Sequence, residues 1–361
     1  MDELPKLAVI LGAGASHDVC CFDQDKVTID RELRPPTIKT LFKGAFDETL
    51  RSYPDAQALL ATVRNVIQGR DPELTFENAL RRLLASENED VVRMVRDVPF
   101  ALHDYFWRIS AGYTSDPINY SDLVIRTARN GIETAFITVN YDTLLEKALT
   151  NVTEVEFDEE EKYVRLQKNF MLAKLHGSVG WGYSWISISK RGDKRRLLSQ
   201  LPEFDISCLH VGLHVDPNGD LTYRDSFCYP ALALPVPGKG DFICPKLHLA
   251  ALRGFLGDCR YYLFIGFSAN DTDVLKLLND CVKHVPLLVG IVVEKRDRGD
   301  VQDRLARGVP VFSGADVFPP LEDDNDGFTW FLRNHLDDFV DIVKGKRLTV
   351  GGPQLRRQPP H

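Results

Sequence analysis

Apolar positions in this chain gather into six short runs: Lys6–Leu11, Thr134–Val139, Phe170–Leu175, Tyr261–Ile265, Leu287–Val293 and Val309–Phe312. Each is nearly continuous in hydrophobic residues and is followed by a turn or helix signal. That is the pattern of strands covered on both faces in a parallel sheet. Parallel neighbours need crossover connections, and the handedness of those crossovers predicts a doubly wound α/β layer of Rossmann-like type.

The spacing changes between the first and second runs, which are more than 120 residues apart. Ile38, Leu41, Phe42, Ala45 and Phe46 follow helical periodicity, as do Phe76, Ala79, Leu80, Leu83 and Leu84, and then Leu102, Tyr105, Phe106 and Ile109. One crossover needs one helix, so the surplus predicts a helical insertion over about 38–130, set against the carboxyl edge of the sheet. A second insertion, over about 180–240, reads as antiparallel ribbons and loop. Ser184–Ser189 alternates, Lys190–Arg196 is a charged turn, and Cys208–Val215 alternates up to the turn Asp216–Asp220. Phe328–Val343 predicts a closing helix. One domain is expected over 1–345, followed by a loose tail over 346–361 rich in Gly, Pro and Arg.

Composition narrows the class. The chain of 361 residues is 44% hydrophobic and 27% charged, as in soluble globular proteins, and no apolar run is long enough to span a bilayer. Its formal charge of −8 argues against a dedicated nucleic-acid binder. The acidic start Met1-Asp2-Glu3 leads straight into a strand, so no secretory signal is expected. Seven cysteines without a C-x-x-C pair fit reduced thiols and a cytoplasmic location.

The chemistry-bearing residues stand at the ends of the runs. The first ends in Gly12-Ala13-Gly14-Ala15-Ser16. Glycines after a buried strand allow a tight turn and close backbone approach, and the following helix start favours a phosphate. The third glycine of the dinucleotide fingerprint is replaced by Ala15 and Ser16, so this loop alone specifies little. The second run ends in Asn140-Tyr141-Asp142, where Asp142 is either a ligand group or a helix cap. The third ends in His176-Gly177-Ser178, a proton-exchanging group at the same edge or a satisfied core histidine. The fourth ends in Gly266-Phe267-Ser268-Ala269-Asn270-Asp271, with Ser268 suited to a ribose hydroxyl and Asp271 to an N-cap.

These four strand ends, in this order, resemble the sirtuin superfamily. The closer similarity is to the SIR2-like NAD-hydrolysing domains of bacterial anti-phage defence systems, over roughly residues 5–315. Arg34-Pro35-Pro36-Thr37 before Leu41-Phe42 resembles the loop that covers the cofactor there. Thr75–Leu80 is similar to a recurrent Phe-Glu element of the insertion. The resemblance implies NAD+ as substrate, with Gly12, Ala13, Gly14, Ala15 and Ser16 at the pyrophosphate and Thr37 in the covering loop. Asn140 would orient a water at the ribose carbon, Asp142 would support the nicotinamide side, and His176 would act as base towards the ribose hydroxyls. Gly266 and Ser268 would contact the adenosine ribose, and Glu294 a ribose hydroxyl. It further implies NAD+ glycohydrolase activity in abortive infection. Control would come through homo-oligomer assembly or a defence-system partner such as an ATPase, an Argonaute-type protein or a phage trigger.

The pattern also departs from deacylating sirtuins. Their zinc ribbon needs two C-x-x-C pairs, and this chain has none. Val139 stands where they carry Gln, and Tyr141 where they carry Ile. An NAD-dependent protein deacylase is therefore a secondary expectation, as is a non-catalytic sensor of NAD or ADP-ribose. No metal site is expected: Cys208, His210 and His214 share a strand parity, but such faces are usually packing. The basic run Lys190–Arg196 reads as a solvated hairpin tip, outweighed by Asp158–Glu161 and Glu322–Asp326.

Overall fold

The computed structural model describes residues 4–19, 33–37, 40–68, 89–164, 169–184, 209–215, 220–223, 226–233, 242–282, 289–294, 298–313 and 327–346. Five strands form the main sheet: β1 (Lys6–Leu11), β2 (Glu133–Thr138), β3 (Phe170–Lys174), β9 (Tyr261–Ile265) and β10 (Val289–Val293). All pairs are parallel, in the order β10-β9-β1-β2-β3, with Val9 opposite both Phe136 and Leu263. The chain thus winds outward from β1 through β2 to β3, then returns to the other side of β1. Crossovers leaving β1 and β9 run in opposite directions. A crevice therefore opens between their carboxyl ends, the switch point at which such sheets bind ligands.

Side-chain alternation on β1 divides the core in two. Leu7, Val9 and Leu11 face the layer of α5 (Ile118–Arg129), α6 (Leu144–Thr153), α11 (Gly327–Asn334) and α12 (Leu336–Val343). Ala8 and Ile10 face α8 (Lys246–Asp258), α9 (Thr272–Val282) and α10 (Arg298–Gly308). Apolar residues on both faces explain why these strands read as continuous runs.

Between β1 and β2 the helical insertion comprises α1 (Ala13–Asp18), a π-helical turn Leu41–Ala45, α2 (Asp47–Leu50), α3 (Pro54–Gln68) and α4 (Glu89–Gly112), before α5. Its own core includes Phe46, Leu59, Leu60, Phe106 and Ile109, and takes in Tyr141, Val179 and Leu232 from the sheet side. The insertion is thereby fastened to the carboxyl edge. After α7 (Glu160–Val164) and β3, the strands β4 (Gly177–Ser184), β5 (Leu209–His210), β6 (His214–Val215), β7 (Leu221–Tyr223) and β8 (Ser226–Leu232) form an antiparallel sheet ordered β5-β4-β8-β7-β6.

Three expectations need correction. Val309–Phe312 is not a sixth strand: Pro310–Ser313 is a 3-10 turn. Pro310 has no N–H to offer a ladder, and Phe312 packs edge-on against Tyr262 and Phe264, at 5.3 and 5.5 Å, covering the sheet instead of extending it. Phe328–Val343 is two helices separated at His335, not one. The alternating stretch to Val215 is likewise two short strands, parted at Gly212, whose φ of +63° bends the chain. His210 therefore pairs opposite Gly182 and His214 opposite Thr222, on different partners, and the His210 ring stacks on Tyr223 at 4.0 Å. Ile38, Phe76–Leu84, Leu287, Trp185–Ser189, Lys190–Arg196, Cys208 and residues 347–361 lie outside the described residues.

Asp97 on α4 is buried, and its carboxyl is pushed up to about 6, by burial first and by the charge of Asp55 on α3 second. A carboxyl that binds its proton more tightly when folded stabilises the fold at low pH. This contribution is present near about pH 4 and is lost as pH rises through about 6. Thermal melts of Asp97→Asn should therefore fall less between about pH 5 and about pH 7 than those of the wild type. Parallel slopes for the two proteins would refute the assignment.

Candidate active site

The floor of the crevice is made of two backbone loops locked together. Gly12 N–H donates to the Ile265 carbonyl at 3.0 Å, and Gly14 N–H to the Gly266 carbonyl at 3.1 Å. A Cβ on Gly12 would lie 2.4 Å from the Gly266 oxygen, and one on Gly266 would lie 2.3 Å from Ala15 N. Gly266 also sits at φ +57°, a conformation that favours glycine. The Gly-Ala-Gly sequence and the distant Gly266 thus answer one steric requirement.

A polar network holds this floor from beneath. Asn140, following β2, donates its amide hydrogens to the Gly12 carbonyl and to Ser16 Oγ, both at 2.9 Å. The Ser16 hydroxyl, buried, meets Tyr120 OH at 2.9 Å. With both amide hydrogens engaged, Asn140 keeps its carbonyl oxygen as the group able to orient a ligand or water. Ser16 accordingly ties the loop to α5, and Ala15 is fully buried beside it.

Asp142 is buried as well, and its Oδ1 accepts the Leu144 N–H at 3.2 Å at the start of α6. Burial raises its affinity for a proton, opposed chiefly by the charge of Lys174. Lys174, the last residue of β3, is fully buried. Its ammonium donates to the Asp142 carbonyl and pairs with Glu146 at 2.9 Å. Glu146 is also driven towards its protonated form by burial, again opposed by Lys174. One buried cation therefore serves two carboxyls, with both ends of the Asp142–Glu146 turn drawn onto it.

Between Asn140 and Asp142, Tyr141 turns away from the crevice. Its ring packs against Phe106 of α4 at 5.3 Å, and its hydroxyl donates to the Ala233 carbonyl. His103 on the same helix contacts the Val179 carbonyl through Nε2 at 3.0 Å.

His176 follows β3 and is partly exposed. Its Nε2 lies 2.7 Å from Oδ2 of Asp271. Burial would raise the Asp271 pKa, but the hydrogen bond and charge of His176 outweigh it, helped by the Val274 and Asp273 N–H groups. The carboxyl is held below its usual range. Asp271 does cap α9, with Oδ1 accepting both of those N–H groups at 3.0 Å. Its second oxygen, turned to His176, is the part that local sequence reasoning missed.

The remaining candidates are spread over several loops. Thr37 lies ahead of the π-helical turn, its carbonyl accepting from the Thr40 and Leu41 N–H groups. His17 holds the preceding loop through the Pro35 carbonyl at 2.7 Å, and Arg34 returns a bond to the His17 carbonyl at 2.8 Å. Ser268 is exposed, with its carbonyl accepting from Arg304 at 2.8 Å. Glu294 follows β10 directly, beside Gly266, whose N–H donates to Val293. Ala13 lies in the first turn of α1. No group of three or more His, Cys, Asp or Glu side chains converges as a metal site among the described residues. No helix among them is long and apolar enough to cross a membrane.

Residues 134–209 match the family model described as SIR2-like domain, a span that includes Asn140, Asp142 and His176. No curated protein sequence matches the chain. Among solved structures, similarity extends to a Sir2 homolog–NAD complex, with 13% identity and a TM-score of 0.42 over 94% of this chain and 90% of that one. It also extends to Sir2Tm bound to a propionylated peptide, with 14% identity and a TM-score of 0.38 over 92% of each chain.

Removing the buried cation should be costly. Lys174→Met leaves Glu146 and Asp142 without their countercharge, and a loss of about 3–5 kcal/mol in urea unfolding is expected. Adding Glu146→Leu should restore a large part of it, because an apolar pair of similar volume removes the unpaired carboxyl. A single variant as stable as the wild type would contradict this account.

Proposed function

We propose that this chain binds NAD+ in the crevice between β1 and β9 and hydrolyses it to nicotinamide and ADP-ribose. The observation that carries the reading is the meeting, at one sheet edge, of the interlocked Gly12 and Gly266 loops with Asn140, Asp142 and His176. The SIR2-like match over residues 134–209 supports it, since the last three residues fall within that span.

The chemistry asks little of an acid. Nicotinamide is joined to ribose as a cation and departs neutral, so the site must stabilise a developing positive charge on the ribosyl carbon and deliver one nucleophile. The Gly12–Ser16 loop would hold the pyrophosphate, and the loop ending in Thr37 would cover the dinucleotide. Asn140 Oδ1 would orient a water at the ribosyl carbon, with Asp142 on the nicotinamide side. His176 would take a proton from a ribose hydroxyl. Gly266 and Ser268 would meet the adenosine ribose, and Glu294 a ribose hydroxyl. These polar groups stand on strand ends of a rigid sheet, which suits electrostatic stabilisation.

A biological setting in bacterial anti-phage defence follows from the resemblance of the four strand ends. There the cytoplasmic chain would stay silent until assembly into a homo-oligomer or contact with a partner protein releases NAD+ cleavage. Water is the favoured acceptor because the chain has no C-x-x-C pair for the zinc ribbon of deacylating sirtuins.

The test is incubation of the purified chain with NAD+ and no peptide, at low and high protein concentration, with nicotinamide and ADP-ribose followed by chromatography. Release is expected from the wild type and not from Asn140→Ala or His176→Ala. Asn140→Ala also removes the bond to the Gly12 loop, so His176→Ala, checked for folding by circular dichroism, carries the decision. Full activity in both variants would overturn the mechanism, and release only with an acyl-lysine peptide would make the chain a deacylase.

A further inference from the structure

His176 and Asp271 come from strands that are not neighbours. β9 and β3 are separated by β1 and β2 in the sheet, a distance of about 14 Å at the usual strand spacing. Their side chains nevertheless meet at 2.7 Å. The contact therefore spans the width of β1 and β2 at the carboxyl edge of the sheet, and it ties the loop after β3 to the start of α9.

We infer that Asp271 is a positioning residue that fixes the tautomer and direction of the His176 ring, making Nδ1 the proton acceptor of the site. A carboxylate can only accept, so Nε2 must carry the hydrogen in the Asp271 contact, and in the neutral ring Nδ1 then holds the free lone pair. Nδ1 has no other partner among the described residues. Asp271 is itself immobilised: Oδ1 accepts the N–H groups of Asp273 and Val274, so the cap of α9 aims Oδ2 at His176. The carboxyl is also held below its usual pKa range and so stays ionised at neutral pH.

This inference rests on the proposed NAD+ hydrolysis. In that reaction the O–H bond of a ribose hydroxyl breaks and its proton moves to Nδ1, while the electron pair stays on oxygen. The ribosyl C–N bond breaks with its pair going to the nicotinamide nitrogen, the water oxygen bonds to the ribosyl carbon and one water proton passes to solvent. The imidazolium is paired with the Asp271 carboxylate, and Nδ1 returns its proton to the ribose oxygen as product leaves. Asp271 need not touch the dinucleotide to assist, because it acts through the ring.

Asp271→Asn separates the two duties of the carboxylate. Asn caps helices as well as Asp does, so α9 keeps its start, but an amide N–H turned to Nε2 selects the opposite tautomer. Two readouts on the full-length chain decide the matter. Steady-state NAD+ cleavage should show kcat reduced about a hundredfold, with KM within about threefold of wild type. Long-range proton–nitrogen NMR of ring-labelled histidine, with the His176 signal assigned by its loss in His176→Asn, should show Nε2–H in the wild type and Nδ1–H in Asp271→Asn.

A variant kcat within about threefold of wild type overturns the inference. So does a fall in kcat with the tautomer unchanged, which would trace the effect to the helix cap. If the wild type releases no nicotinamide under any condition, the proposed function fails on its own. The tautomer comparison then still decides whether Asp271 sets the ring, and Nδ1–H in the wild type would overturn it.

Discussion

Two stretches of backbone meet at the centre of the sheet with no room for a β-carbon between them. Gly12 and Gly14 lie against Gly266, and their N–H groups donate to the Ile265 and Gly266 carbonyls. Much of the crevice depends on that approach. It brings the turn after β1 level with the turn after β9, at the point where the winding of the sheet reverses, and so creates a concave edge. A side chain at any of the three positions would force the loops apart and lift Asn140 off the Gly12 carbonyl.

Around this contact the polar groups are arranged in depth. Tyr120, Ser16 and Asn140 form a buried chain that fixes the floor from the α5 side. Lys174 fixes the adjacent turn from the β3 side, holding the Asp142 carbonyl and the Glu146 carboxylate. Neither arrangement is inexpensive, since buried charges and hydroxyls lose hydration and are stabilising only when their partners are in place. Their joint effect is to fix the turns after β1 and β2 at the carboxyl edge of the sheet.

Much of the sheet was legible in the sequence, because strands buried on both faces leave continuous apolar runs, and four of the six predicted runs end in residues with chemical meaning. The misreadings have physical causes. Val309–Phe312 is as apolar as a strand, but a proline at its second position and a ring set edge-on against Tyr262 make it a cover for the sheet. The break at His335 leaves no mark on the apolar periodicity of either half. Asp271 was readable as a cap because capping is local in sequence. Its bond to His176 was not, because that contact depends on β9 lying beside β1 and on a reach across two intervening strands. The pairing of Lys174 with Glu146 is hidden for the same reason: a lysine at the end of an apolar run gives no sign of which carboxylate it faces.

Tyr141 gives the Asn140–Asp142 turn a property that neither flanking residue has. Its ring belongs to the core of the helical insertion, against Phe106, while its two chain neighbours belong to the crevice. One tripeptide therefore meets two packing demands at once: its middle side chain completes the apolar core of the insertion, and its ends are held by Gly12, Ser16 and Leu144. A substitution in the core around Phe106 thus bears on a polar turn that it does not touch.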